Sequence, residues 1–389
     1  MGKAADGYEL FLSRARQHAE KSSSRSVEQL CGSQCAEECN KELGSYLAGV
    51  HASVLTRLDE VLKQFEKSFT SPRTVIKWCS DYQDVFLQLR TLVSEVGYRS
   101  VCFPQYDLVE NSPFDRGLFC ELGLRYFIND EGLSISDAGD MQLFLADAVF
   151  ADQGTMLLRS MSPHALELYN NTHIKIVFAT ISSVYEVEQD AEVFEAVKCA
   201  CEQTTEGMTL LSKSAMAGVT YLFLVDNGRS KMLPLNEGRN VLSCIECRRC
   251  EEVCPVAQLA GADAYNNVFT GPVGSVVLPY MENVVEYGYA PFACTMCGVC
   301  EEVCPMQLRL RDMIVESRST LASNRQLDVQ TQEYMRTIQR LFLDRKHQNR
   351  HLRWKRLLSF FNTKHHNGLA KYYHLPSSTF NTQACKKVQ

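Results

Sequence analysis

Two runs of cysteine carry the chemistry that this chain shows most plainly. The first reads Cys244-Ile-Glu-Cys247-Arg-Arg-Cys250-Glu-Glu-Val-Cys254-Pro255, and the second Cys294-Thr-Met-Cys297-Gly-Val-Cys300-Glu-Glu-Val-Cys304-Pro305. Both are C-x2-C-x2-C-x3-C-P, the run that wraps a cubane [4Fe-4S] cluster in two-cluster ferredoxins. A thiolate at every third position curls three sulfurs around one cube, and the last Cys of each run reaches the other cube. The spacing therefore predicts two [4Fe-4S] clusters. Cys244, Cys247, Cys250 and Cys304 are expected on the first, and Cys294, Cys297, Cys300 and Cys254 on the second. Pro255 and Pro305 fix φ and remove a donor directly after each crossing Cys, which suits a chain turning away into the first turn of a helix. Zinc normally takes its ligands from two separated C-x2-C pairs, so four Cys packed into each run suit it poorly.

Disulfides are the other use of so many cysteines, and they belong to oxidising compartments. Of the seventeen Cys, nine lie outside the runs: Cys31, Cys35, Cys39, Cys79, Cys102, Cys120, Cys199, Cys201 and Cys385. An odd, scattered remainder reads as reduced thiols. The opening Met-Gly-Lys-Ala-Ala-Asp has no apolar core for a signal peptide, and no run approaches eighteen uninterrupted apolar residues. A cytoplasmic protein without a transmembrane segment is expected. Cys31, Cys35 and Cys39 fall at i, i+4, i+8 on one helix face, a spacing that matches neither a cubane run nor a zinc pair.

The elements that must position the runs read as α/β. At 389 residues and 45% hydrophobic content, the chain can bury a sizeable core and form more than one domain. Val54, Leu58, Val61, Leu62, Phe65 and Phe69 repeat at helical period and predict one amphipathic helix from Val50 to Phe69. Tyr82 to Val96 reads as a second helix, with Gly97 placed to cap it. Strands are expected at Ser100-Val-Cys-Phe, Leu124-Arg-Tyr-Phe-Ile128, Thr155-Met-Leu-Leu158, Ile174-Lys-Ile-Val-Phe178 and Tyr221-Leu-Phe-Leu-Val225. Ala146 to Phe150 reads as a strand or a helix-strand junction, and Val187 to Thr205 as a helix. Strands alternating with helices argue a mostly parallel sheet covered on both faces. His173 beside an apolar strand reads as a core or edge histidine rather than a catalyst.

Neither G-x-G-x-x-G nor G-x4-G-K-[ST] occurs, so no nucleotide site is supported, and no Gly-x-Ser-x-Gly elbow is present. No catalytic residue can be assigned. The formal charge of -6 is unevenly spread. From Ser319 onward thirteen Lys and Arg stand against three Asp and Glu, a net +10, which leaves -16 on the rest. Without a nucleic-acid motif the tail reads as a solvated helix docking on an acidic partner.

Several stretches carry a family likeness. Asp226-Asn-Gly-Arg-Ser, the first run through Pro255-Val, Ala264-Tyr-Asn-Asn-Val-Phe-Thr-Gly-Pro-Val-Gly-Ser-Val-Val-Leu-Pro279 and Pro291-Phe-Ala-Cys-Thr-Met-Cys-Gly-Val-Cys300 resemble the lactate-utilisation iron-sulfur protein family, LutB or LldF. Arg57-Leu-Asp-Glu-Val-Leu-Lys-Gln-Phe-Glu66 is similar to the family's leading helix. Ala151-Asp-Gln-Gly-Thr-Met-Leu-Leu158 and Thr172-His173-Ile174 are similar to its LUD domain. The resemblance implies an α/β LUD domain with a sugar-isomerase or CoA-transferase-like parallel sheet, followed by an α-helical ferredoxin domain with two [4Fe-4S] clusters. The expected organisation is a polar helical extension over 1–45, the LUD-like domain over 46–235, the ferredoxin domain over 236–320 and a basic helical tail over 321–389.

Such a protein is implied to be the electron-transfer subunit of an oxidoreductase complex that turns L-lactate into pyruvate. Its partners would be LutA-like and LutC-like subunits and a redox partner protein, with no nucleic acid. Two departures stand out. The family's Lys-Ser-Lys-Ser motif is replaced by Phe103-Pro-Gln-Tyr106, and Arg248 stands where Gly is common. The first removes a cationic pair suited to a carboxylate substrate. It favours the alternative of a generic electron-transfer subunit for another dehydrogenase or reductase, with a LUD domain that holds no substrate.

Overall fold

A computed structural model of the chain describes residues 34–97, 100–103, 125–128, 141–158, 169, 172–202, 208–212, 218–261, 265, 267, 269–282 and 284–323. Two compact units divide the chain at Ser323, and all of these residues belong to the first. Cys31, Cys120, Cys385, the Pro104 to Tyr106 stretch and the basic tail lie outside them.

Two helices lead. α1 (Gln34–Thr56) runs without a break through residue 45, and α2 (Leu58–Phe69) follows it. The helix expected over Val50 to Phe69 is thus two helices. Arg57 leaves helical geometry at φ -134, ψ 35, and Asp59 and Glu60 open a new first turn where the helix dipole favours negative charge. Arg57 also pairs with Glu186 across the fold, which anchors the break.

β1 (Thr74–Cys79) and α3 (Tyr82–Val96) follow. α3 forms as its sequence predicts. Asp81 caps it by accepting from the Asp84 N–H at 2.8 Å, and Gly97 ends it at φ 73 with its N–H on Val93 O. The remaining strands are β2 (Ser100–Phe103), β3 (Arg125–Ile128), β4 (Met141–Phe150), β5 (Thr155–Leu158), β6 (Ile174–Thr180), β7 (Val184–Tyr185), β8 (Thr209–Leu211) and β9 (Val219–Val225). Between β7 and β8, α4 (Asp190–Glu202) begins at Asp190 rather than the expected Val187, and residues 203–205 of the expected helix lie outside the described ones.

The sheet has a parallel body in the order β1-β9-β6-β4-β2-β3. β5 adds antiparallel to β4, and β8 antiparallel to β5. β4 is ten residues long, which settles Ala146 to Phe150 as strand. Its first half pairs with β6 and its second half with β5 and β7, with a register shift between Ala146 and Ala148. That bulge falls on Asp147 and re-aims its side chain.

Alternate residues of the strands feed two cores. Ile174, Ile176, Phe178, Phe223 and Val225 pack with Val85, Leu89 and Leu92 of α3. Val177, Leu222 and Leu224 pack on the opposite side in a cluster that takes in Phe65 and Phe69 of α2 and Phe194 and Val197 of α4. Each such side chain contributes about 1.5–3 kcal/mol when fully buried. The second cluster continues past the sheet into Val241, Ile245, Val277, Leu278 and Ile314, so one core runs from the strands into the cysteine region.

Among the described residues no helix is long and apolar enough to cross a membrane. After β9 come two 3-10 turns and then short helices, α5 (Arg249–Glu252), α6 (Pro255–Ala260), α7 (Gly271–Met281), α8 (Val284–Tyr287), α9 (Ala290–Ala293) and α10 (Val299–Glu302), ending in the longer α11 (Leu310–Ser323).

α1 fastens these parts together. Tyr46 donates to Asp190 of α4 at 3.0 Å, and Gln307 donates to the Lys41 carbonyl at 3.0 Å. The fully buried His51 shares a 2.9 Å hydrogen bond with the Ser243 hydroxyl, immediately before the first cysteine run, and lies against the Tyr185 ring. Burial pulls the His51 pKa down to about 4. The unfolded chain therefore takes up a proton between pH 6.5 and about 4 that the fold does not, and stability falls as pH drops through that window. We expect His51 to cost the fold about 2 kcal/mol between pH 7 and pH 5. Thermal melts of the wild type and H51Q at both pH values check this, and the wild type should lose clearly more than the variant. Equal losses would show that His51 is not held neutral.

Candidate metal centre

The carboxyl ends of the parallel strands lead directly into the cysteine region. β9 exits through Asp226-Asn-Gly-Arg, where Asp226 accepts from the Ser230 N–H at 2.7 Å and from its hydroxyl at 2.5 Å. Gly228 sits at φ 78, and a Cβ there would meet the Met281 backbone at 2.8 Å, so only glycine lets this turn touch α7. Arg229 is buried to 3% exposure. Its Nε donates to Ser182 Oγ at 3.1 Å, its guanidinium lies over Phe269, and Glu246 of the first run is 4.0 Å away.

The two runs fold alike because their backbones make the same turns. Glu246 and Met296, at matching positions, are left-handed at φ 56 and 62, and so are Arg248 and Gly298 at φ 58 and 85. These turns bring backbone donors onto sulfur: Glu246 N–H to Cys244 Sγ at 3.4 Å, and Met296 N–H to Cys294 Sγ at 3.3 Å. Cys254 stands at the start of α6 with Pro255 in its first turn, as expected. Pro305 differs. It enters a turn, with Gln307 at φ 49, and its carbonyl lies where a Cβ on Gly44 of α1 would come within 1.9 Å, so only glycine lets the two backbones approach.

The electrostatic neighbours of the thiols fall into two sets. Cys244 feels Cys250 and Cys247, Cys250 feels Cys247 and Cys304, and Cys304 feels Cys247. Cys254 feels Cys294 and Cys297, and Cys300 feels Cys294, Cys254 and Cys297. Cys250 also feels Cys300, so the sets adjoin. Burial, and then this crowding, raises the Cys244 and Cys250 pKa values and pushes Cys300 up to about 12. Burial also pushes Cys304 up to about 11, against partial relief from backbone donors led by Leu308 N–H at 3.5 Å. Thiols held this way ionise only when a cation displaces the protons.

The donor set fits an iron-sulfur cluster. Among the described residues no three His, Cys, Asp or Glu side chains group as they would around a single metal ion. The eight thiols offer soft sulfur alone, spread over two adjoining sets. All eleven cysteines whose side chains are described are free of disulfides. Cys300 and Cys304 are buried, while Cys297 is exposed.

Other residues wall the two sets, and the cysteine spacing gives no hint of them. α7 is apolar on nearly every face, buried from Gly271 to Met281 apart from Val273 and Tyr280, and it packs against α5, α9 and α11. Arg318 of α11 donates to the Cys294 carbonyl at 2.7 Å and to the Pro291 carbonyl at 2.8 Å. On the other side, Lys198 of α4 donates to the Ile245 carbonyl at 2.5 Å, between Cys244 and Cys247, and pairs with Asp147 at 3.5 Å. Cys201, one turn on, hydrogen-bonds Cys247, and that bond pulls the Cys247 pKa down. The helical period of Lys198 and Cys201 in a predicted helix was the one available signal, but nothing in the sequence aims that face at the runs.

A second polar group lies elsewhere. Thr74, Thr220, Lys175 and Gln142 cross the sheet in register, all buried, at the amino ends of β1, β9, β6 and β4. Ligand crevices of parallel sheets open at the carboxyl ends, so this row is at the wrong edge for one. His173, at the start of β6, is exposed and takes part in the sheet through its carbonyl, which accepts from Val219 N–H at 2.8 Å.

Residues 240–308 match the family described as 4Fe-4S dicluster domain. This part of the chain is an iron-sulfur cluster domain. Lactate utilization protein B 1 of Bacillus mycoides (strain KBAB4) is 36% identical over 109 residues, which are 28% of this chain and 23% of that protein. Lactate utilization protein B of Bacillus cereus (strain B4264) is 39% identical over 101 residues, 26% of this chain and 21% of the relative. The matched stretch spans less than a quarter of the length of these curated relatives. The expected likeness to the lactate-utilisation iron-sulfur protein holds over this stretch. Among solved structures, a DUF162 family protein from Deinococcus radiodurans aligns with a TM-score of 0.32 and 16% identity over 43% of this chain and 98% of its own, too remote a likeness to carry an argument.

The twin loops make a prediction of opposite signs. A left-handed residue with a Cβ costs about 1–2 kcal/mol, partly offset by the greater chain entropy that glycine loses on folding. R248G should raise stability by up to about 1 kcal/mol, and G298A should lower it by about 1 kcal/mol, because the nearest atom to its Cβ, Arg311 Nη1 at 3.5 Å, leaves room. Denaturant unfolding of the cluster-loaded protein under anaerobic conditions reads both. Shifts of the same sign would mean that backbone strain does not govern these positions.

Proposed function

We propose that this protein holds two [4Fe-4S] clusters and passes electrons as the iron-sulfur subunit of a complex oxidising L-lactate to pyruvate. The observation that carries the reading is the interleaving of the two runs. Cys304 is an electrostatic neighbour of Cys247 and Cys250, and Cys254 of Cys294, Cys297 and Cys300, which supports the exchange of a two-cluster unit. The relatives named lactate utilization protein B support the substrate, over the cysteine region alone.

A bound [4Fe-4S] cluster supplies a one-electron couple whose potential follows burial and hydrogen bonds to sulfur. Oxidation of lactate to pyruvate releases two electrons and two protons, which a partner subunit would deliver one electron at a time. The chain's own residues then do three things. Cys254 and Cys304 cross between the runs and hold the two sets side by side. Cys300, Cys304 and α7 keep water from the interior face. Cys297 is the exposed ligand and faces the surface from which electrons enter or leave.

On this reading residues 46–235 form the LUD-like α/β unit and 236–320 the ferredoxin unit, with 321–389 a basic tail and α1 shared between the 1–45 extension and the α/β unit. LutA-like and LutC-like subunits and a redox partner complete the assembly in the cytoplasm. The alternative, an electron-transfer subunit for another dehydrogenase or reductase, is favoured by one observation. The carboxyl ends of β6 and β9, on the side where ligand crevices of parallel sheets open, pack on the cysteine region through Arg229 and Gly228. Substrate chemistry then falls to a partner.

Two measurements test this. C247S and C297S should each lose about half of an iron content near eight per chain, the content of two cubanes. Full iron in either variant would remove that Cys from the ligand set. Added L-lactate should bleach the visible iron-sulfur absorbance of the protein purified anaerobically with its partners. Clusters that stay oxidised under lactate, yet bleach with dithionite, would replace lactate by another donor.

A further inference from the structure

The two cysteine sets fold alike but have different walls. The Cys294 set is lined by Arg318, which reaches backbone carbonyls, and it includes the exposed Cys297. The Cys244 set is lined by α4 of the α/β unit. Lys198 and Cys201 stand three residues apart on that helix, on one face. Lys198 is 1% exposed and Cys201 8%. The ammonium bonds the Ile245 carbonyl at 2.5 Å inside the first run, and the bulge of β4 turns Asp147 to within 3.5 Å of it. The Cys201 thiol is hydrogen-bonded to Cys247.

Resting on the two-cluster reading above, we infer that Lys198 and Cys201 raise the reduction potential of the cluster held by Cys244, Cys247, Cys250 and Cys304, relative to the other. Taking up an electron makes a cluster more negative by one charge. The Lys198–Asp147 pair, with its ammonium end on the run at the Ile245 carbonyl, and an S–H donor aimed at a ligand sulfur both stabilise that more negative state. They act where water is excluded, so screening is weak. The exposed side of the second cluster, at Cys297, has water in that role. The α/β unit is thereby a tuning shell for one cluster, and its helix α4 sets which of the two holds an electron longer.

The test is an EPR-monitored redox titration of the full-length protein with its clusters in place. C201A should weaken electron uptake at one cluster by about tenfold, the scale of one hydrogen bond to a charged group, which is about 59 mV for a one-electron couple. The other midpoint should stay put. C201S keeps a donor and should recover most of the shift. K198Q should lower the same midpoint, and the signal that moves should persist in C297S, which lacks a ligand of the other cluster. Two unmoved midpoints in C201A and K198Q would overturn the inference, and so would loss of about half the iron in C201A, which would make Cys201 a ligand. If K198Q does not fold, the C201A and C201S pair decides alone. A wild-type protein with one cluster signal would instead overturn the two-cluster reading itself.

Discussion

Crowded thiols are the constraint on which this structure depends. Eight cysteines in two adjoining sets, several of them buried, cannot all ionise in the absence of a cation, and the raised pKa values of Cys244, Cys250 and Cys300 express that cost. A metal cluster reverses the sign of the interaction. A thiolate that binds iron is stabilised by it, and ligation becomes folding energy. The local helices α5, α6 and α10 are four to six residues long, too short to stand alone in water. They persist because the thiols fix their ends, and because α7 gives them an apolar body to pack against.

That local unit is not independent of the sheet. The core that begins under β6 and β9 continues into Val241, Ile245 and Leu278 without a polar break. Four named contacts close the seam. Gly44 meets Pro305 backbone to backbone, His51 meets Ser243, Arg229 bridges Ser182 toward Glu246, and Lys198 meets Ile245. They come from three elements, α1 at two points, the β9 exit and α4, and each lands within two residues of a run cysteine or its proline. A change at the seam is therefore felt by the sulfur ligands, and cluster loading is felt by the sheet.

How much of this the sequence reveals depends on the range of the physics involved. Cysteine spacing is a local code, and it marks the stretch that matches a 4Fe-4S dicluster domain, residues 240–308. Gly97 and the ends of α3 are local as well, since a cap is decided within a turn. β4 was harder, because a strand with neighbours on both sides and both faces buried loses the alternation that marks a strand, and Met141 to Leu145 read as nothing in particular. The break at Arg57 was invisible since apolar period continues across it, and its anchor, Glu186, is far off in sequence. Lys198 and Cys201 belong to the same class. Their role follows from where β4 bulges and where the β9 exit turns, and neither is written near them.

The internal duplication of the cysteine runs sharpens what those long-range contacts do. Two loops with the same left-handed turns at matching positions, and the same backbone donors onto sulfur, would by themselves hold two equivalent clusters. Equivalent clusters give no direction to an electron. Direction needs a difference, and the charged ones that the loops supply, Glu246 against Met296, Arg248 against Gly298 and Arg249 against Val299, sit on exposed or half-buried side chains that water screens. The buried difference comes from outside the duplication: a helix of the α/β unit on one set, and solvent at Cys297 on the other. An α/β unit whose β6 and β9 carboxyl ends meet the cysteine region through Arg229 and Gly228, and whose buried polar row lies at the other end of its strands, bears on the first set through Lys198. It is then best understood as the element that breaks the symmetry of the pair.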